Sequence, residues 1–542
     1  MANATVTGLP IQRKAIKIGI RQLVVVLLVL GAVFRFSYLD HKVFWGDETS
    51  TLTRVAGYTF VEIGERFSDS YTTELAELER YQTLNPERDW RDVISGLQQE
   101  EPQLPPVYYL SLRLWAAQFG TSVTALRTFS ALISLLAFPC MFWLCRELFD
   151  QTSPAWVATA LIAVSPFHLV YAQEARSQSL WTITILLSSA ALLRAVRVNK
   201  KHAWALYGFT LVLSFYTYLL SGLVAIGHGI YILTLEKFRP NQTVRRYLLT
   251  AVPSGLLTLP WILTAFGNRA ELDGGTAWVK LPVPLISLVK VWLLNISRLF
   301  VDFDYDFTTR HGIFYLLILG TTVLVGYALY FLCRHTERRV WLFVVLLTSI
   351  TVLTLALPDL LLGGRRSGIA RYLIPSFLGL EIAVAYLLAE GTLVARRRLW
   401  SQQLRDLSLA MVLMLGIVSC TSYLQAPIWW NKSNGVPLAA VSETLTQSAQ
   451  PVLISSGYPP LELFHLIQRT DFTLQSPDAP IPDNATDVFV MSRNFSDAFL
   501  YEVLKYHPDY TVASRSTWKG NIDPTYEYKT ELWQLVKQTA AS

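Results

Sequence analysis

The sequence predicts an α-helical polytopic membrane protein of about eleven transmembrane helices, with interfacial helices in its first outer loop and a small extracytoplasmic α/β domain at its C-terminal end. Three observations predict it. Of the 542 residues, 52% are hydrophobic and 16% charged, with a mean hydropathy of +0.35, where soluble proteins are about 25% charged. Long apolar runs recur over the first 424 positions. Alternate short loops, which fall on one side of the membrane, are basic. The net charge of +6 is dispersed through those loops and implies no nucleic-acid partner.

Arg13, Lys14, Lys17 and Arg21 precede "QLVVVLLVLGAVF" in the manner of a signal peptide. The bulky "RFSYLDHKVFW" that follows offers no small-residue cleavage site, so the run reads as an uncleaved first helix with a cytoplasmic N-terminus. The spans then fall near 21–39, 123–145, 154–171, 178–195, 203–219, 222–236, 247–265, 311–333, 339–357, 371–394 and 406–424. With the N-terminus inside, the inward loops carry Arg146; Arg194, Arg197, Lys200 and Lys201; Lys237, Arg239, Arg245 and Arg246; Arg334, Arg338 and Arg339; and Arg396, Arg397, Arg398 and Arg405. Every one is basic, as the positive-inside rule requires.

Three segments are therefore outward: 40–122, 266–310 and everything after 424. In the first, "TTELAELERYQTL" is helix-compatible, and "LPPVYYLSLRLWAAQFG" suits a helix lying in the interface, as does "ISLVKVWLLNISRLF" in the second. The tail, 425–542, alternates short strands ("PVLISS", "DVFVMS", "YTVAS", "ELWQLVK") with helices ("PLELFHLIQR", "SDAFLYEVLKYH"), the pattern of an α/β domain. It has no glycine-rich phosphate loop. Cys140, Cys145, Cys333 and Cys420 lie in or beside apolar runs and suggest neither a disulfide framework nor a metal cluster.

On this map charged residues gather on the outer face. Asp47 and Glu48 follow the first span in "VFWGDETSTL". "SPFHLVYAQEARSQSL" brings Tyr171, Gln173, Glu174 and Arg176 to the turn between the third and fourth spans. "LPDLLLGGRRSGIARYLIP" brings Arg365, Arg366 and Arg371 to the outer side, against the charge bias of the rest of the chain. Each has a plain reading: a solvated loop for the acidic pair, a local ion pair for Glu174 and Arg176, pairing with Asp359 or headgroups for Arg365 and Arg366, and snorkelling for Arg371. His168 and His228 read as core histidines. The functional reading is an anion site, because guanidinium forks match phosphate, with a carboxylate nearby as general base.

The motifs resemble those of the polytopic GT-C glycosyltransferases, in the branch related to protein O-mannosyltransferases and the aminoarabinose transferase of lipid A. "FRFSYLDHKVFWGDET" is similar to that family's arginine-bearing first helix and W-x-D-E entry to the outer loop. "LPPVYYLSLRLWAAQFGTSVTALRTFSAL" is similar to its P-P-L-Y-Y…L-W…F-G…R…S-A-L stretch. "SPFHLVYAQEARSQSL" resembles its Q-E-x-R turn, and "ARYLIPSF" its R-Y-x-x-P start of a late span. The resemblance implies transfer of one sugar from a polyprenyl-phosphate donor to a lipid, glycan or protein acceptor, in a bacterial inner membrane.

It implies Asp47 and Glu48 as catalytic residues, Asp47 as base, and Arg371, with Arg365 and Arg366, as the donor-phosphate site. Tyr171, Gln173, Glu174 and Arg176 would line the cavity. The family often has His before the Pro-Pro pair, where this chain has Leu104 after Gln103; a metal role there is put in doubt, and a divalent metal is otherwise left open. Two other classes fit the same charges: a transporter or flippase of an anionic lipid-linked substrate, and an O-antigen ligase or polymerase using a lipid-linked oligosaccharide. One-sided charge and the lack of an internal repeat favour the transferase over the transporter.

Overall fold

The computed structural model describes residues 10–305, 311–394, 399–455, 457, 459–467, 472–493, 497–523 and 526–538. All eleven apolar runs fall on helices. Among the described residues seven helices are long and apolar enough to cross a membrane: Val123–Leu148, Gln178–Val198, Gln242–Gly267, Gly312–His335, Arg338–Leu362, Ala370–Ala389 and Gln403–Ser433. Helix α1 (Pro10–Phe36) holds a shorter apolar stretch, Gln22–Phe36, and Ser221–Leu235 is another. Arg396, Arg397 and Arg398 of the last basic loop lie outside the described residues. At the end of the bundle carrying the basic loops, Glu147 pairs with Arg197 at 2.7 Å and Arg194 at 3.4 Å, joining two of them.

The third run is a broken span. Ser153–Ala163 and Pro166–Ala172 meet at 57°. Pro166 cannot continue the hydrogen-bond ladder and forces Ser165 into an extended conformation (φ −72°, ψ 121°), so the helix restarts with proline in its first turn. The carbonyls freed at the break are taken by Arg35 of α1, which donates to Ala163 O at 2.9 Å and Ile162 O at 3.1 Å. That contact needs α1 to come very close. A Cβ on Gly31 would sit 2.5 Å from Ala163 O. A break inside hydrocarbon is tolerated only when the freed carbonyls find such partners, and this one re-aims the chain toward Gln173–Gln178. The 286–300 run forms the helix Leu285–Ser297, set at 93° to Arg269–Lys280.

The four strands read in the C-terminal segment all form, and two more join them. Strands β1 (Thr72–Glu74), β2 (Pro451–Ser455), β3 (Thr473–Gln475), β4 (Asp487–Arg493), β5 (Tyr510–Asp523) and β6 (Tyr526–Lys537) form one sheet in the order β1-β3-β2-β4-β6-β5. β1 comes from the first outer loop, so "TTELAELERYQTL" begins as a strand and only then becomes the helix Leu75–Glu79. β-branched Thr72 and Thr73 pair antiparallel with Gln475 and Leu474, about 400 positions away; local pattern could not reveal that.

β2 and β4 are parallel neighbours, buried on both faces. On one face Val452, Ile454, Val488 and Val490 pack on Phe499, Leu500 and Val503. On the other, Leu453, Phe489 and Met491 share a core with Tyr58, Ile63, Phe67, Tyr71 and Leu78 of the outer loop. The outer loop thus supplies both an edge strand and the covering layer of this sheet. The sheet sits against the membrane domain through that loop.

Candidate active site

Helix α2 (Gly46–Ala56) begins where the outer loop turns back from α1. Trp45 is extended (φ −96°, ψ 173°), and Asp47 and Glu48 occupy the first turn, where free backbone N–H groups favour negative charge. The helix stops at Gly57, whose φ of 95° is a left-handed conformation that suits glycine. Successive residues of a helix point in different directions, and the two acids meet different surroundings.

Glu48 is fully buried. Its carboxylate accepts a two-point fork from Arg127 (2.8 Å from Nε, 2.6 Å from Nη2), one bond from Lys432 Nζ at 2.6 Å and one from the Ala175 backbone N–H at 2.9 Å. Arg127 also donates to the carbonyls of Leu39, Lys42 and Val43. Burial opposes ionisation of Glu48 but is outweighed by Arg127 and Lys432, which hold its pKa below the ordinary range. Four segments are tied together here: α2, the Val123–Leu148 helix, the Ala175 turn and the turn at Lys432. With its oxygens taken up in this way, Glu48 is an anchor.

Asp47 faces a different set of groups. Its side chain is 28% exposed, with Oδ2 2.7 Å from Arg371 Nη1 and 3.6 Å from Arg176 Nη2. Burial again works against ionisation, and Arg371 and Arg176 outweigh it, keeping the carboxyl below its usual pKa. Arg176 is held by Thr51 Oγ1 at 3.1 Å and Asp47 O at 3.2 Å. Arg371 stands on the turn Ala370–Leu373 that opens the Ile374–Val394 helix.

Glu174 accepts a bond from Trp45 Nε1 at 2.8 Å. Burial pushes its pKa up to about 7; Lys432 opposes the rise, and the charges of Glu48 and Asp47 add to it. The third-to-fourth-span turn therefore places a reluctant acid and a firm cation on either side of the Asp47–Glu48 pair. Gln173 Nε2 donates to Phe34 O at 2.8 Å and Ser37 O at 2.7 Å, closing the end of α1. Tyr171 is buried against Phe167 (ring centroids 5.0 Å apart).

The structure thus brings Asp47, Glu48, Glu174, Arg176 and Arg371 into one cluster. Arg365 and Arg366 are engaged elsewhere. Arg366 pairs with Asp359 at 2.8 Å, and Ser367 adds two bonds to the same carboxylate. Arg365 is buried with its guanidinium 5.1 Å from the Trp278 ring centroid. Arg366 takes the Asp359 pairing that its plain reading named, and both arginines lie in the loop after the Arg338–Leu362 helix.

Two members of the cluster are absent from the sequence-level candidates. Arg127 had a signal, a charge inside an apolar span. Lys432 had none, since "WWNKSNG" reads as a loop. Among the described residues no three His, Cys, Asp or Glu side chains are placed so that they could hold a metal ion, and the Asp47 and Glu48 carboxylates are occupied by cationic side chains, a donor set that does not fit a divalent metal.

Residues 103–263 match the family model for dolichyl-phosphate-mannose-protein mannosyltransferase. No curated protein matches the chain by sequence. Among solved structures, apo ArnT from Cupriavidus metallidurans is similar, with 14% identity, a TM-score of 0.53, and coverage of 95% of this chain and 98% of that one. ArnT from the same organism bound to undecaprenyl phosphate matches with 13% identity, a TM-score of 0.49 and the same coverage. The apo Archaeoglobus fulgidus oligosaccharyltransferase matches with 12% identity and a TM-score of 0.45, over 89% of this chain and 71% of that one. The protein therefore has the GT-C fold in the form seen in ArnT, with a segment matching the protein mannosyltransferase family.

Proposed function

We propose that the protein is a membrane glycosyltransferase that moves a single sugar from a polyprenyl-phosphate donor to an acceptor at the extracytoplasmic face, by inverting displacement with Asp47 as general base. The observation that carries this reading is the ion pair between Asp47 and Arg371 at 2.7 Å, on a face where Arg176 supplies a second guanidinium. A partly open carboxylate and a guanidinium fork are what a phosphate-linked substrate needs side by side. The fold and the dolichyl-phosphate description of the matched family support the donor class.

The same pair suggests how the groups divide the work. A donor phosphate competes with Asp47 for the Arg371 fork. Once Arg371 turns to phosphate, Asp47 loses the charge that depresses its pKa and becomes a stronger base. The acceptor's hydroxyl or amine then gives its proton to Asp47 as its oxygen or nitrogen bonds to the anomeric carbon. The bond from that carbon to phosphate oxygen breaks, and Arg371 takes up the charge developing on the departing polyprenyl phosphate. Arg176 keeps the carboxylate oriented, and Glu48 holds α2 in place.

This face is opposite the end where Glu147 gathers the basic loops, in keeping with a cytoplasmic N-terminus and an extracytoplasmic C-terminal domain in a bacterial inner membrane. Binding of polyprenyl phosphate to the purified full-length protein tests the donor site. Arg371→Ala should weaken binding at least ~10-fold, and Arg366→Ala should leave it unchanged. Wild-type affinity in Arg371→Ala would sink the assignment.

A further inference from the structure

The crevice beside Asp47 on the C-terminal sheet has no part in the donor chemistry. β2 runs parallel to β3 on one side and to β4 on the other. The chain leaves β2 for β3 and then crosses to β4, so the strand order reverses between β2 and β4. In open α/β sheets, ligands bind outside the carboxyl ends of the strands at that reversal. Here those ends are Ser455 and Arg493, and they border a cavity of about 370 Å³ whose other walls include Thr49, Ser50, Phe60 and Glu462. A smaller cavity of about 120 Å³ shares Gly46, Glu462 and Arg493 with it and reaches Trp45 and Asp47. The crevice therefore shares a wall with a cavity that borders the proposed base.

Gly46 lines both cavities. A Cβ there would lie 3.3 Å from Glu462 Oε1, so a side chain at this position would crowd Glu462.

We propose that the crevice at the carboxyl ends of β2 and β4 is the acceptor subsite, and that it takes a hydroxyl-rich saccharide whose reacting group is delivered past Gly46 to Asp47. This rests on the transferase reading. Three observations choose the ligand chemistry. Glu462 and Arg493 face each other at 3.4 Å, so the wall offers an acceptor and a donor whose charges balance, suited to a neutral polyhydroxyl group. Thr49 is buried on the wall, and its hydroxyl has no hydrogen-bond partner, a cost that a ligand hydroxyl would relieve. The strands that end here, β2 and β4, are each paired on both sides, so the crevice presents no free edge for an extended peptide to join. In the reaction, the saccharide hydroxyl passes its proton to Asp47, its oxygen bonds to the donor's anomeric carbon, and polyprenyl phosphate leaves. Glu462 and Arg493 are positioning residues.

The test uses the purified full-length protein in detergent and two probes, a panel of methyl hexosides, N-acetylhexosaminides and their disaccharides, and a Ser/Thr-rich peptide. Binding is read by saturation-transfer NMR. At least one saccharide should bind the wild type. Glu462→Gln and Ser50→Trp should each weaken it ~10-fold or more, with polyprenyl phosphate affinity unchanged. Ser50→Trp fills the cavity, and Glu462→Gln keeps side-chain size if the bulky change fails to fold. Three results would overturn the proposal: no saccharide of the panel binding, saccharide binding indifferent to both variants, or the peptide alone binding and being displaced by Ser50→Trp. Loss of the Arg371-dependent lipid-phosphate site with saccharide binding intact would instead count against the donor reading.

Discussion

Asp47 and Arg371 meet at 2.7 Å across 324 positions of sequence, joining the first turn of the outer-loop helix to the start of a late span. The pair is partly open, at 28% and 18% side-chain exposure, whereas Glu48, the next residue, is sealed. An anionic ligand entering the site has to take Arg371 from Asp47. Removing one partner or the other should therefore affect affinity for polyprenyl phosphate differently. Arg371→Ala should lower it, and Asp47→Asn should raise it or leave it unchanged, because a competing anion is gone. Equilibrium binding of polyprenyl phosphate to both variants checks this. A similar loss in both would mean that the pair is only structural.

Glu48 should behave as an anchor of the fold. Removing it leaves Arg127 and Lys432 buried without their shared carboxylate, a change that costs ~3–5 kcal/mol. Glu48→Ala should lower Tm sharply, and Glu48→Asp should recover part of the loss. The depressed pKa gives the direction with pH. This stabilisation is present above the ordinary carboxylate range and is lost only as pH falls through the lower folded value. A Glu48→Ala protein with unchanged Tm would contradict the role.

Glu174 has the opposite sign. Its folded pKa lies near 7, above the ordinary value, so the folded state keeps the proton longer and loses stability as pH rises through that window. Glu174→Gln can still accept the Trp45 N–H and carries no charge. The stability gap between variant and wild type should widen in the variant's favour from pH 5 to pH 8, by on the order of 2 kcal/mol. Thermal unfolding at the two pH values measures it, and a pH-independent gap would refute it.

The bend at Ser165 depends on close approach by α1. Gly31→Leu drives a side chain into the Ala163 backbone, which must shift. Overpacking of this kind costs ~1–3 kcal/mol, and it should also loosen the turn bearing Glu174 and Arg176. A lowered Tm together with weaker polyprenyl phosphate binding is expected. Unchanged values for both would show that the break needs no support from α1.

Much of this arrangement was readable in the chain. Long apolar runs and basic loops locate the helices because hydrocarbon admits little else. Asp47, Glu174, Arg176 and Arg371 stood out as charges on the less basic side. What could not be read were partners fixed by tertiary contact. "TTE" gives no local sign of pairing with β3, and Lys432 sits in an ordinary loop. The resemblance singled out Asp47 as base but gave both acids a catalytic place. Only the rotation between neighbouring positions on α2 sends Glu48 inward to Arg127 and leaves Asp47 open to Arg371. For Arg365 and Arg366 the sequence offered both a phosphate site and a pair with Asp359, and only the fold shows that Arg366 takes Asp359.

Everything proposed for this site turns on Asp47 taking the acceptor's proton. The most direct test is turnover of radiolabelled polyprenyl-phosphate sugars in membranes containing wild-type or Asp47→Asn protein, with matched expression and Tm. Wild-type membranes should release polyprenyl phosphate and label an acceptor, and Asp47→Asn should be slower by ~10²-fold or more. Turnover by Asp47→Asn at the wild-type rate would contradict the account.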